Sequence, residues 1–486
     1  MDLWVDLSRR GDRATAIYRA LVAAMTDGRL RSGDRLPPMR ALATDLAVSR
    51  TTVATVYERL TAEGYVEGRV GSGTFVTAAG VPPSEQPRRP VGQLQPKPGW
   101  TFRPGATSSQ LVPPPYDFRA GIPDPALFPF DTWRRLVAGE LRLRAHQLGT
   151  YSEPSGHAGL RAAIAGHLGR SRSLAATADD VLITNGTQQG LDLIARVLLQ
   201  PGDVVAVEDP GYPHARELFA SHGATVTPVP VDAEGLVVQQ IPPTARLVFS
   251  TPSHQFPLGV PMSLPRRREL IGWGEKHEAA IIEDDYDSEF RYTARPLETL
   301  HSMDRSGRVI YAGTFSKSLL PSLRMGFLVA PQSLREALRA ARQLTDWHGV
   351  TALQGALARF IDEGQLARHV RRAAAVYQQR RDAVIDGVQR HLGDWLEVIP
   401  SAAGLHICAR SRPGLVLDCA GLLVAARRQG ITVEGLTEHH ALPPAGPVQT
   451  GLVIGYGMAQ LPSIDAGLAG IGRLARRFVS RSDSAP

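Results

Sequence analysis

The sequence predicts a multidomain chain: a mostly helical unit over residues 1–80, then an α/β domain over residues 116–486 that ends in a small α+β part. Three observations support this. A length of 486 residues exceeds what one ordinary core organises. Ten of the 35 residues from 81 to 115 are Pro, with no periodic apolar pattern, so this stretch reads as a semi-extended linker. Before it, apolar residues recur at helical spacing; after it, short apolar runs alternate with helical stretches.

The bulk composition narrows the class. With 43% hydrophobic and 21% charged residues, the chain matches a soluble globular protein. No stretch approaches the ~18 consecutive apolar residues of a membrane span. The opening Met1-Asp-Leu-Trp-Val-Asp-Leu7 has two acids and no basic-then-apolar signal pattern. Cys408 and Cys419 are the only cysteines, so a cytoplasmic protein without a disulfide framework is expected. The net charge of +7 permits a nucleic-acid partner, yet residues 1–80 hold 11 Arg against 9 acids. The case for DNA therefore rests on pattern.

In the first unit, Ile17, Leu21, Ala24 and Met25 repeat at helical spacing. Gly33-Asp-Arg-Leu-Pro-Pro38 is a turn whose prolines suit the entry to a second helix, Met39 to Ala47. Ser49 reads as the N-cap of a third helix, in which Val53, Val56, Tyr57 and Leu60 form an i, i+3, i+4, i+7 stripe. That stripe leaves Arg50, Thr51, Thr52, Thr55 and Arg59 outward. Two short strands, Tyr65-Val-Glu67 and Gly73-Thr-Phe-Val76, are joined through Gly68-Arg-Val-Gly-Ser72, making a winged helix-turn-helix. Its third helix would enter the major groove with Arg50, Thr51 and Thr52, while Arg40, at the start of the second helix, and Arg69, on the wing, would reach phosphates. The competing use is a winged helix for protein contact alone. The runs Ser32-Gly-Asp-Arg-Leu-Pro-Pro-Met-Arg-Ala-Leu-Ala43, Val48-Ser-Arg-Thr-Thr-Val53 and Gly71-Ser-Gly-Thr-Phe-Val76 resemble the GntR family of bacterial repressors. That resemblance implies an operator of double-stranded DNA.

Beyond the linker, Val181–Thr184, Val204–Val207, Ala224–Val229, Leu247–Ser250, Ala280–Glu283, Val309–Ala312 and Phe327–Ala330 read as short buried strands. Helical stretches from Thr187 to Leu199 and Pro213 to Ser221 separate the first of them. The pattern predicts a mostly parallel sheet covered on both faces, with ligands beyond the carboxyl ends of the strands.

Lysine usage singles out one residue. Against 51 arginines stand only Lys97, Lys276 and Lys317. Arg replaces Lys wherever a charge suffices, but guanidinium cannot lose its proton and act as a nucleophile. Lys97 lies in the Pro-rich stretch and Lys276 in a polar run. Lys317 follows an apolar strand within Gly313-Thr-Phe-Ser-Lys-Ser-Leu-Leu-Pro-Ser-Leu-Arg-Met-Gly326. An amine flanked by hydroxyls, with Arg324 seven residues on, suits a Schiff base beside a bound phosphate, as in pyridoxal phosphate (PLP). Thr184-Asn-Gly-Thr-Gln-Gln189 joins strand to helix, where open N–H groups favour a phosphate and Gly186 permits close approach. Tyr212 in Asp209-Pro-Gly-Tyr-Pro213 can stack on a flat ring; a packed turn Tyr is the alternative. In Ile281-Ile-Glu-Asp-Asp-Tyr-Asp287 a carboxylate can keep a pyridinium nitrogen protonated, with a Tyr hydroxyl two residues on. An acidic metal site is the rival, but no His ligand pattern lies nearby in sequence, so no metal is expected.

This order of motifs, together with Asp117-Phe-Arg-Ala-Gly-Ile-Pro-Asp124, Tyr151-Ser-Glu-Pro-Ser-Gly156 and Thr251-Pro-Ser-His-Gln-Phe-Pro257, resembles the fold-type-I aminotransferases. With the first unit, the whole chain resembles the MocR-type subfamily of GntR regulators. The resemblance implies Lys317 as the residue carrying PLP, Asp284 against the ring nitrogen and Tyr286 at its oxygen. It implies Gly186, Thr187, Gln188, Thr314, Ser316 and Arg324 around the phosphate, and Tyr212 stacked on the ring. It also implies a large part over roughly 150–345, a small part over 346–486, and a homodimer. The implied function is a PLP-dependent transcriptional regulator sensing PLP itself or an amino acid; a working aminotransferase with a DNA-binding appendage is the alternative. Two departures bear on this choice. Phe256 stands where an Asn-Pro-x-Gly turn has Asn, with His254 or Gln255 as replacements. Val453, in Gly451-Leu-Val-Ile-Gly-Tyr456, stands where relatives have a carboxylate-clamping Arg, leaving Arg410 or Arg119 as substitutes.

Overall fold

The computed structural model describes residues 13–78, 97, 100–102, 114–143, 149–292, 298–401, 403–442 and 448–481. The opening residues and most of the Pro-rich stretch 81–115 lie outside them. The chain divides into two compact units, Met1–Pro98 and Gly99–Pro486.

In the first unit the apolar stripes dictate the packing. Helix α1 (Arg13–Thr26) buries Ile17, Leu21, Ala24 and Met25, and α3 (Arg50–Ala62) buries Val53, Val56, Tyr57 and Leu60. Between them, α2 (Met39–Asp45) adds Leu42 and Ala43 to the same core. It stops two residues short of the expected Ala47, which takes a left-handed φ of 49°. The Ser49 hydroxyl accepts the Thr52 N–H at 3.1 Å and so caps α3. The wing is an antiparallel pair, β1 (Val66–Arg69) and β2 (Gly73–Val76), in the register Val66 to Val76.

In the second unit β3 (Tyr116–Asp117) pairs with a strand near the chain's end. The main sheet comprises β4 (Val181–Thr184), β5 (Val204–Asp209), β6 (Thr225–Asp232), β7 (Gly235–Leu236), β8 (Ala245–Ser250), β9 (Ala280–Asp285), β10 (Val309–Thr314) and β11 (Gly326–Val329). Their spatial order is β4-β11-β10-β9-β8-β5-β6-β7. Only β11 and β7 run against the rest. Several strands extend beyond the apolar runs: β9 continues through Asp284 and Asp285, and β10 through Gly313 and Thr314, because the polar residues at their ends still pair with neighbours.

The small part holds β12 (Leu396–Val398), β13 (His406–Ser411), β14 (Leu415–Leu417), β15 (Ile431–Thr432), β16 (Glu434–Gly435) and β17 (Gly451–Gly455). Its sheet runs β12-β13-β17-β16, while β15 pairs with β3. The long helix Gln365–Leu392 and the helix Leu461–Ala475 cover it with Tyr377, Val384, Val388, Leu468 and Ile471. The helix Thr351–Asp362, beyond the boundary expected near 345, packs Ala356, Leu357, Phe360 and Ile361 into the large part's core with Leu160 and Ile164. Eight of its twelve residues are buried, which sets it between layers. Among the described residues, no helix is long and apolar enough to cross a membrane.

Candidate functional site

The carboxyl ends of β4, β5, β8, β9 and β10 open onto a cavity of about 610 Å³. Of the residues expected around a cofactor, Thr187, Gln188, Tyr212, Asp284, Tyr286, Thr314, Ser316, Lys317 and Arg324 all line it. Gly186, the remaining one, lies under Arg324: a Cβ there would meet the guanidinium at 2.7 Å. Its φ of +83° is a second reason for glycine, since other residues are strained in that region.

The strand pleat sorts the acidic run. Successive residues on β9 face opposite sides of the sheet, so Asp284 and Tyr286 face the cavity and Asp285 faces away. Asp285 is held by the Tyr311 hydroxyl at 2.5 Å and by Arg172. Asp284 is buried, and its Oδ1 accepts no hydrogen bond. Burial first, and the Asp285 carboxylate second, push its pKa up to about 8. An uncompensated acid of this kind is costly unless a cation or an N–H donor meets it.

Lys317 follows β10 and makes no hydrogen bond or ion pair with the described residues. Burial lowers its pKa, against the opposing pull of Asp287 and Asp284. Gly121 gives its amine room: a Cβ there would lie 2.8 Å from Nζ. Tyr212, half-buried, meets Phe256 edge to face at 5.8 Å, and burial raises its phenol to about 12. Gly186 starts the helix Thr187–Leu198 without any side-chain cap, leaving the first N–H groups open. Arg324, in a left-handed conformation, donates to the Asn185 carbonyl at 3.0 Å. The Gln188 side-chain amide donates to the His214 carbonyl at 3.1 Å.

The two departures also take shape. Gln255 is turned away from the cavity, its amide donating to the carbonyls of Pro210 and Phe256 and to buried Glu208. His254 sits behind Tyr286, with Nδ1 3.0 Å from the phenol and 3.0 Å from Asp287. With His406 these groups bring three potential metal-ligand atoms within 4.8 Å. The His254 imidazole already bridges Asp287 and Tyr286, so hydrogen bonding accounts for that pair. Val453 is fully buried against Leu258, Ile399, Cys408 and Leu436. Neither suggested substitute reaches the cavity: Arg410 pairs with Glu397 at 2.6 Å and Arg119 with Asp117 at 2.8 Å. Three cavity side chains escaped the sequence reading, His214, Glu434 and His439. An acid in a two-residue strand and a His in a short turn carry no motif, so only the fold reveals them.

On the first unit, Arg40, Arg50, Thr51 and Arg69 are exposed. Thr52 is half-buried, its hydroxyl 2.7 Å from that of Ser49. Arg59 packs over the Tyr18 ring at 3.8 Å and pairs with Glu63, and Arg69 pairs with Glu67 over Phe75. Arg40 and Arg50 make no ion pair with described residues.

Comparison with known proteins agrees with both units. Residues 13–76 match the family described as bacterial regulatory proteins, gntR family, and residues 124–415 match aminotransferase class I and II. The chain is 40% identical over 90% of its length, and 89% of the other's, to the probable rhizopine catabolism regulatory protein MocR of Rhizobium meliloti. It is 33% identical over 91% of both chains to the pyridoxine biosynthesis transcriptional regulator PdxR of Corynebacterium glutamicum. Among solved structures, the kynurenine aminotransferase of Pyrococcus horikoshii, in complex with PMP, superposes with a TM-score of 0.68 at 27% identity. It covers 74% of this chain and 90% of its own.

Proposed function

Because the chain belongs to the MocR-type subfamily of GntR transcriptional regulators, we propose that its cavity holds the cofactor on Lys317 and reads a small effector that alters operator binding. Its cofactor is pyridoxal 5′-phosphate. The carrying observation is the convergence on one cavity of a half-buried amine, Lys317, that makes no hydrogen bond or ion pair with the described residues, and a buried carboxylate, Asp284, whose Oδ1 accepts no hydrogen bond. Bound PLP supplies an aldehyde for that amine and a ring that draws electrons. Lys317 would hold it, and the Asp284 carboxylate would accept the ring N–H. Tyr286 would donate to the ring oxygen, oriented from behind by His254. Thr187, Thr314, Ser316 and Arg324, with the open N–H groups after Gly186, would hold the phosphate. Tyr212 would cover the ring face.

No described Arg other than Arg324 lines the cavity, which argues against an aminotransferase that clamps an amino-acid carboxylate. A homodimer is also part of this reading. Tyr151 (77% exposed) stacks on Trp347 at 4.6 Å, beside exposed Leu344 and Val350. A second copy would cover such a patch. A monomeric mass by light scattering would contradict it.

In the first unit, Arg50 and Thr51 would read base edges. Arg40 and Arg69 serve phosphates, Thr52 being turned back to its cap. Arg50→Ala is expected to lower preference for the operator by about 1–3 kcal/mol. Arg40→Ala should weaken binding to all duplexes and flatten the salt dependence. Arg69→Ala should have the smaller effect of these two, since Glu67 already partners it. Gel-shift titrations of operator and scrambled duplexes at several salt concentrations test this; wild-type behaviour of Arg50→Ala sinks the docking model.

A further inference from the structure

The small part contributes an acidic stretch of cavity wall, Glu434 and His439. Glu434, on β16, pairs in register with Val453 on β17, the position at which an Arg clamp would sit. Its Oε1 accepts the Ala120 N–H at 2.9 Å, and its side chain remains 29% exposed, open to the cavity. His439, also on the lining, is 6% exposed. Its Nε2 lies 3.5 Å from Glu434 Oε2, and neither ring nitrogen completes a hydrogen bond. Burial works to raise the Glu434 pKa, but the His439 imidazole, near though beyond a well-formed hydrogen bond, and the Ala120 N–H outweigh it and hold it below the usual value. Glu434 is therefore ionised at neutral pH.

The charge balance of the lining then selects the ligand. Its charged groups among the described residues are Asp284, Lys317, Arg324 and Glu434, with His214 and His439 as imidazoles. With a phosphate-bearing cofactor in place, Arg324 is engaged at one end and Asp284 at the ring nitrogen. A molecule entering beside Lys317 meets Glu434 and a His439 with free hydrogen-bonding capacity. A carboxylate placed there would face another carboxylate, while Arg324, the one guanidinium of the described lining, is taken by the phosphate, a repulsive arrangement that discriminates strongly inside a partly desolvated site. An ammonium or hydroxyl group would instead find an acceptor.

We infer that the effector of this pocket is an amine without a carboxylate, bearing hydroxyl or further ammonium groups where an amino acid bears its acid. The inference rests on the cavity being the site of cofactor and effector. Matched probes isolate the one group at issue. 2-Amino-1,3-propanediol and serine differ only in a hydroxymethyl group against a carboxylate, and ethanolamine and glycine repeat the comparison.

Full-length protein is first saturated with PLP, uptake being read by its visible absorbance, and then titrated calorimetrically with each probe. The amino alcohol of each pair is expected to bind at least about tenfold more tightly than the amino acid, a difference of about 1.4 kcal/mol. Glu434→Gln, which keeps shape and removes charge, should narrow the ratio from both sides by weakening the alcohol and admitting the acid. Equal or tighter binding of the amino acids, or no heat from any probe, overturns the inference. A ratio unmoved by Glu434→Gln overturns its assignment to Glu434. Failure to take up PLP in the first step sinks the cofactor reading instead, so the two failures are distinct.

Discussion

Lys317→Ala is expected to abolish retention of PLP while leaving the protein folded. Wild-type protein dialysed after loading should keep its visible absorbance, and the variant should lose it completely. The side chain makes no hydrogen bond or ion pair with the described residues, so truncation orphans no partner. Burial lowers its pKa, which means that the charged amine opposes folding in the cofactor-free protein. The sign follows: between the lowered native value and 10.5 the unfolded chain binds the extra proton. Stability of cofactor-free wild type therefore gains from Lys317 as pH rises through that window, and the variant lacks this gain. Thermal melts of the cofactor-free proteins should show the variant at least as stable as wild type near neutral pH. A variant that keeps its colour through dialysis would rule out Lys317 as the attachment point.

Asp284→Ala should weaken PLP binding by about 2–5 kcal/mol, the cost of removing one partner from a buried, hydrogen-bonded charge pair. The pH dependence of the cofactor-free protein offers an independent check. The Asp284 pKa is pushed from 3.8 up to about 8, so across that interval the native state holds a proton that the unfolded state has released. Its contribution to stability is full below the unfolded value and is lost as pH rises through the native one. Bound PLP supplies the missing partner for the carboxylate and should remove this loss. Loading with PLP is thus expected to raise the melting temperature more at pH 8 than at pH 5. Asp284→Asn should lose that pH difference. Equal cofactor affinity in Asp284→Ala and wild type would place the ring nitrogen elsewhere.

Most of the fold was legible because it depends on periodicity and punctuation. The helical stripes of Ile17–Met25 and Val53–Leu60 are the buried faces observed, and Ser49 caps where its position suggested. The strands of the main sheet were found by their apolar runs but underestimated at polar ends such as Asp284-Asp285 and Gly313-Thr314. Those ends carry the chemistry, and their polarity disguises them as loops. The residues grouped as a cofactor set do converge on one cavity, since most end a strand, start a helix or lie in the loop after β10. Side-chain commitments were beyond reach. Nothing in the sequence says that Gln188 points its amide at His214, that Gln255 is spent on Glu208, or that Thr52 turns back to Ser49. The acidic wall formed by Glu434 and His439 was hidden for another reason. It depends on a crossing of chain segments more than 100 residues from Lys317.

Ligation of the cavity is proposed to change how the winged helix holds its operator. Two units in one chain do not establish this; an effector must bind two states of the protein with different affinities. The most direct measurement is operator affinity for three preparations of one protein: cofactor-free, PLP-loaded, and PLP-loaded with saturating 2-amino-1,3-propanediol. Operator affinity should differ between the cofactor-free and PLP-loaded forms, shift again with the amino alcohol, and stay constant across all three in Lys317→Ala. Identical operator affinity in the three wild-type preparations, with PLP shown by absorbance to be bound, would contradict it.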